Sequence, residues 1–572
     1  STCLLCVAVA VRAEVSRIIK LDQGPVRGYL DGDIFAYYGI PYATVPTGPA
    51  KFKAPLPPPT NKEPLDAVDK GIICPQVSFS LLSDAKGKQE DCLIANIFVP
   101  DTENNNLPVL VVVHGGAFQI GLGNWLLPKN LIRTKEMIVV TFNYRLGIHG
   151  FLCLGTEDAP GNAGMKDQVA LLRWVKNNIA AFGGNPDDIS ISGASAGGAA
   201  VDLLMLSSAT KGLFNKVIPE SGSSLAAFSI QSDPLENAKS FARRLNFTNT
   251  DDIYALEEFY KNTPLDQLLI DSFIDRTDST FVFSPCVERK SAEEVFLDEN
   301  PVSIIKNGKY NKVPLLIGFA NMEGLMRIEL FEKWKDGMNE KFSDFLPADL
   351  IFETEAQKEE VAKEVKKFYF GDEPVSSDNI LSYVNYFSDV IFTAPALRSV
   401  ELYLESGHHE IYLYEYSFTD DEVPLVPHTD VRGANHCAQT MAVFDGKNIF
   451  VTDETTISEE YKNMKSTIRQ MWSNFITTGK PVPEGSTLPS WPVVGKNWSP
   501  YMSLGEKVKL KDSLLEKRAR FWTKIYDKYY RLPVPPPARS YYIFFSKVNR
   551  HQRVTRLLIQ RFVAVFSTRC LL

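Results

Sequence analysis

Two stretches of this chain are so uniformly apolar that few folds can hold them. Val109-Leu110-Val111-Val112-Val113 is apolar on every residue, and Met137 to Phe142 is apolar everywhere except Thr141. A strand with one face in water alternates apolar and polar side chains. These runs do not alternate, so both of their faces must be covered. Asp167 to Phe182 instead carries apolar residues at helical spacing, at Val169, Leu172, Val175 and Ile179. Ile189-Ser190-Ile191 then reads as a short strand running into Gly193, and Gly198 to Leu206 continues as a helix. Val313 to Ile317 and Ile411 to Tyr416 read as later strands, and Tyr461 to Thr478 as a long amphipathic helix. Strands alternating with helices imply an α/β fold: a mostly parallel central sheet flanked by helices on both faces. No internal repeat interrupts the pattern.

Composition fits that reading. The 572 residues are 44% hydrophobic and 23% charged, a globular balance rather than a disordered one. A chain this long buries a large core without needing staples. Its net charge of -8 argues against nucleic acid as a partner, since such proteins carry basic surfaces. The apolar run from Cys3 to Val11, ending at Ala13, resembles a secretory signal and is too short to span a membrane. The expected division is a signal over residues 1–13, a single domain over 14–537 and a basic tail over 538–572. In that tail, seven Arg and Lys residues from Arg539 to Arg569 occur with no acidic residue among them. A secreted protein meets an oxidising compartment, and Cys74 and Cys92 are the best disulfide candidates, both in a polar stretch. Cys153, Cys286 and Cys437 lie in apolar settings and read as buried free thiols. Asn246-Phe247-Thr248 is the better of two glycosylation sequons, because Pro500 follows Asn497-Trp498-Ser499.

The candidate chemistry begins at Gly193-Ala194-Ser195-Ala196-Gly197. A strand enters it and a helix leaves it, the context in which a sharp turn lifts a serine hydroxyl above a sheet. A nucleophilic serine needs donors for the developing oxyanion. His114-Gly115-Gly116-Ala117-Phe118 follows the Val109–Val113 strand directly, where small residues let two backbone N–H groups turn inward; the Ala196 amide supplies a third. The serine also needs a base. Among seven histidines, His114 belongs to the loop, His408 and His409 read as a solvated turn, and His149, His428 and His551 stand isolated. His436, on the small-residue loop Gly433-Ala434-Asn435-His436, has the chain position expected in the order Ser, acid, His. The orienting acid must fall between Ser195 and His436. Glu323 fits, just after the strand near Leu315, but other carboxylates in that interval fit the spacing as well.

Several motifs occur in order around these residues. They are Gly39-Ile40-Pro41-Tyr42-Ala43, Glu90-Asp91-Cys92-Leu93-Ile94-Ala95-Asn96, Asn143-Tyr144-Arg145-Leu146-Gly147, Gly150-Phe151-Leu152, Gly161-Asn162-Ala163-Gly164, Asp167-Gln168 and Phe182 to Pro186. From about Gly24 to Leu532 the chain resembles the type-B carboxylesterase/cholinesterase family of α/β-hydrolases, most closely the insect carboxylesterases of antennal and detoxifying type. The resemblance implies a triad of Ser195, Glu323 and His436. It also implies oxyanion donors at Gly116, Ala117 and Ala196, and a disulfide between Cys74 and Cys92. It calls for no cofactor and no metal, with a small-molecule ester as partner.

This sequence departs from the family at several places, among them Ala95, where Leu is usual. Ala194 stands where Glu usually precedes the serine, which argues against a choline ester specialist. Glu220 stands where Gln is usual ahead of Ser221-Gly222. Lys51 replaces Arg before Phe52, which removes a planar bidentate group. His436-Cys437-Ala438-Gln439 lacks the acidic pair that often follows the histidine. The expectation is a secreted serine esterase acting on odorant, pheromone, dietary or xenobiotic esters. The alternative is a catalytically weak sequestering or adhesion-type relative.

Overall fold

The computed structural model describes residues 15–77, 90–291, 293–448 and 451–537. The signal segment, with Cys3 and Cys6, and the basic tail, with His551 and Cys570, lie outside the described residues. The strands are β1 (Ser16–Leu21), β2 (Gly24–Asp31), β3 (Ile34–Pro41), β4 (Leu65–Asp66), β5 (Ile94–Pro100), β6 (Leu107–Val113), β7 (Ile138–Phe142), β8 (Gly184–Ala194), β9 (Lys216–Glu220), β10 (Leu315–Ala320), β11 (Ile411–Tyr416), β12 (Tyr501–Leu504) and β13 (Val508–Lys511). They form one sheet in the order β1-β2-β3-β5-β7-β6-β8-β9-β10-β11-β12-β13, with β4 paired to β2. From β7 to β12 every pairing is parallel. At its two ends the strands in this order pair antiparallel, while β4 pairs parallel to β2.

The apolar runs read from the sequence lie at the centre of this sheet. Successive side chains of a strand point to opposite faces. In β6, Val109, Val111 and Val113 join one core cluster, while Leu110 and Val112 join the other. The first face is covered by α1 (Ala163–Asn178), through Leu172 and Val175, and by α2 (Ala196–Leu206), through Ala199 and Leu203. The second is covered by α3 (Glu459–Thr478), through Ile468, Met471, Trp472 and Phe475. Every residue of α2 is buried, as expected of a helix wedged under other layers. The α/β architecture expected from the sequence is therefore the one observed. Among the described residues, no helix is long and apolar enough to cross a membrane.

Two local expectations are corrected. Cys153 and Cys286 are not free thiols: they form a disulfide across 133 residues of sequence, in addition to the Cys74–Cys92 bond. Each cysteine, read alone, sat in an apolar context, and only the fold brings the pair together. Cys437 is free and half-buried. His408 is not solvated. It is buried, its Nε2 donates to the Val313 carbonyl at 2.7 Å, and burial pushes its pKa down to about 4, whereas His409 is exposed. The local sequence is polar, but the β10 approach folds over it.

Candidate active site

Parallel strands deliver their C-terminal ends to one edge of the sheet, and the candidate residues sit there. Ser195 lies between β8 and α2 with φ 59° and ψ -122°, a strained conformation for a residue with a side chain. The turn closes only because its flanks are bare. A Cβ on Gly197 would stand 2.2 Å from the Val113 carbonyl oxygen. The Ser195 N–H donates to the Glu220 carbonyl at 2.9 Å, which pins the elbow to the end of β9.

The loop after β6 lies against the elbow, since a Cβ on Gly115 would come 3.2 Å from Ser195 Cβ. Gly116 at φ 108°, Ala117 at 59° and Phe118 at 61° make three consecutive left-handed residues. Gly116 has no room for a side chain either, because its Cβ would meet the Ile120 carbonyl oxygen at 2.1 Å. Among the described residues, no acceptor takes the N–H of Gly116, Ala117 or Ala196. Such unpaired donors beside a serine suit an oxyanion. Gln119 braces the loop, its Nε2 donating to the Ala117 carbonyl at 3.1 Å and to that of Phe283.

Glu323 opens the turn after β10 and is fully buried. Its Oε1 accepts the Ala320 N–H at 2.8 Å and the Ser221 hydroxyl, and its Oε2 meets His436 Nδ1. The histidine loop is tied to the acid's loop twice. Ala434 N–H donates to Asn321 Oδ1 at 2.9 Å, and Met322 N–H donates to the Ala434 carbonyl at 3.1 Å. Phe392 stacks on the imidazole at 4.2 Å. His436 Nε2 lies 3.4 Å from Cys437 Sγ, and among the described residues Ser195 Oγ forms no hydrogen bond with it. Such bonds commonly tighten only when substrate is bound.

Two of the rival histidines are poor bases. His114 is buried with its pKa pushed down to about 4, and it stacks on Tyr144 at 4.4 Å. His149 is buried and pushed down to about 3. His409 and His428 are exposed.

The structure adds residues that the pattern alone did not assign to the site. Gln439 Nε2 donates to Ser221 Oγ at 2.7 Å, so the serine bridges Gln439 and Glu323. Glu220 is buried, accepting from Trp472 Nε1 at 2.7 Å and from the Thr440 hydroxyl. Burial pushes its carboxyl up to about 7, and these neutral donors hold it only partly down. The signal for both lay in their departure from family pattern, but which atoms they reach is a tertiary fact. Lys51 no longer offers a planar fork; its Nζ donates to the Thr263 carbonyl at 2.9 Å.

A family model described as "Carboxylesterase family" matches residues 15–522. The chain belongs to the carboxylesterase family. Its activity is hydrolysis of carboxylic esters, as the names of its relatives indicate. It is 34% identical over 524 residues to juvenile hormone esterase of Heliothis virescens, covering 85% of this chain and 90% of that protein. It is 33% identical to para-nitrobenzyl esterase of Bacillus subtilis (strain 168), covering 83% and 92%. Among solved structures, juvenile hormone esterase from Manduca sexta with OTFP covalently attached superposes with a TM-score of 0.79. That pair shares 29% identity over 90% of this chain and 100% of the other. The carboxylesterase and the α/β-hydrolase fold expected from the sequence are both borne out.

Proposed function

We propose that this carboxylesterase is a secreted serine enzyme that cleaves esters through an acyl-enzyme on Ser195. The observation that carries the reading is the contact of buried Glu323 with His436, on loops beside the Ser195 elbow. His436 Nε2 takes the hydroxyl proton as Ser195 Oγ attacks the ester carbonyl. Glu323 fixes the Nδ1–H tautomer and stabilises the imidazolium. The amides of Gly116, Ala117 and Ala196 receive the oxyanion. The alcohol leaves with the proton from His436, and water repeats the sequence on the acyl-enzyme. The juvenile hormone esterase from Manduca sexta with OTFP covalently attached supports a covalent mechanism.

Secretion is supported by the two disulfides, by the exposed sequon at Asn246 and by the apolar N-terminal run. The substrates are small esters of odorant, pheromone, dietary or xenobiotic type, hydrolysed by a single domain over 14–537 that a basic tail follows. Ser195→Ala tests the mechanism. It should fold normally by circular dichroism and lose hydrolysis of 4-nitrophenyl acetate by about 10⁴-fold or more. Undiminished hydrolysis in that variant would refute the assignment. A pre-steady-state burst with slow turnover in the parent enzyme would instead favour sequestration of esters over their clearance.

A further inference from the structure

Among the described residues, the two most deeply buried arginines are treated in opposite ways. Arg145 is 2% exposed and grips both oxygens of Asp167 at 2.7 and 2.8 Å, with the Lys51 carbonyl at 3.1 Å. Arg327 is 0% exposed, and among the described residues none of its three guanidinium nitrogens has a hydrogen-bond partner. The rings of Phe281 at 5.8 Å and Trp334 at 5.7 Å face it. The acids whose fields reach it are engaged elsewhere. Asp278 pairs with Arg276 at 2.6 Å, and Asp275 accepts from the Ser272 hydroxyl at 2.8 Å. Tyr383 donates its hydroxyl to the Arg327 carbonyl at 2.9 Å, not to an acceptor beside the guanidinium. Burial pushes the group down only to about 10, so it remains a cation at neutral pH. A buried, unpaired cation is among the most unfavourable groups a core can hold, and ring faces offset only part of that cost.

Its position joins it to the catalytic site. Arg327 lies on the helical turn that Glu323 opens, four residues further on. From Phe281, rings run without a gap to the base: Phe281 to Phe228 at 4.9 Å, Phe228 to Phe392 at 5.8 Å, and Phe392 to His436 at 4.2 Å. On the other side, the Phe281–Phe283 strip is held by Gln119 of the oxyanion loop. The guanidinium thus stands behind the aromatic wall that runs from the oxyanion loop to the imidazole.

We propose that Arg327 is a specificity residue of the Ser195 site, selecting esters that carry a second, free carboxylate. The proposal rests on the serine esterase reading above. A carboxylate is a group whose two oxygens match the guanidinium fork, and it supplies the missing charge as well as the missing acceptors. The side chain is enclosed in this structure, so the carboxylate reaches it as the covering ring of Phe281 or Trp334 turns aside.

The test compares monomethyl adipate with methyl hexanoate, which matches it in length but has no charge, in the full chain and in Arg327→Met. The variant should lose about tenfold or more in kcat/KM on monomethyl adipate and stay within about threefold on methyl hexanoate. Its melting temperature should not fall, because an apolar side chain replaces an unpaired charge. Arg327→Lys, which keeps the charge but not the fork, should lie between the two. Equal losses on both esters, a lowered melting temperature with general inactivity, or no change on monomethyl adipate would each overturn the proposal. So would a parent enzyme that cleaves methyl hexanoate but not monomethyl adipate. Failure of the underlying mechanism shows differently, as hydrolysis persisting in Ser195→Ala.

Discussion

Glu323 and Glu220 stand near the ends of neighbouring strands, and both are buried, yet their surroundings make them different acids. Glu323 touches an imidazole and accepts from a backbone N–H and a hydroxyl. Glu220 accepts only from neutral groups, the Trp472 indole and the Thr440 hydroxyl, and burial pushes its carboxyl up to about 7. Burial alone therefore does not fit a carboxyl for the orienting role proposed for Glu323. The partner decides, because a base that becomes cationic during the reaction gives a buried carboxylate a charge to stabilise.

The largest effect should come from removing that partnership. Glu323→Gln preserves shape but presents an amide to Nδ1, and kcat for 4-nitrophenyl acetate should fall on the order of 10³- to 10⁴-fold. A loss no greater than that of Glu220→Gln would erase the distinction between the two acids. Ser221→Ala should cost less. It removes one charge-assisted hydrogen bond from Glu323 and strands Gln439, so kcat should drop roughly tenfold with KM little changed.

Glu220→Gln should be the mildest for catalysis, and its signature lies in stability against pH. The folded pKa of about 7 is above the ordinary value of 4.5, so the folded state binds the extra proton between those values. The contribution is fully present below about pH 4.5 and is lost as pH rises through 7, a change of about 3 kcal/mol. Urea denaturation at pH 5 and pH 8 should show this slope in the parent and a flatter one in the variant. Equal slopes would mean that Glu220 ionises normally.

Much of this was legible from the chain. The apolar runs of β6 and β7 required a sheet covered on both faces, because a strand without polar alternation has no face to give to water. Gly193-Ala194-Ser195-Ala196-Gly197 between a strand and a helix marked the elbow, because only bare flanks let the turn close. His436 followed from chain order and a small-residue loop. Other residues stayed hidden for one physical reason: their roles depend on contacts between segments far apart in sequence. The Cys153–Cys286 bond joins two thiols that each looked solitary, and His408 lies under a strand approach its own polar neighbours did not announce.

The sequence by itself determined the class of fold, the candidate nucleophile elbow and the order of the candidate triad, since these are written in local periodicity and short motifs. Only the tertiary structure decided which buried charges have partners. It set Glu323 against His436, left Glu220 among neutral donors, paired Arg145 with Asp167 and left the Arg327 guanidinium without a hydrogen-bond partner among the described residues. The reason is the range of the forces. Backbone shape answers to near neighbours, whereas the stability and ionisation of a buried charge answer to whatever the fold brings within a few ångströms of it.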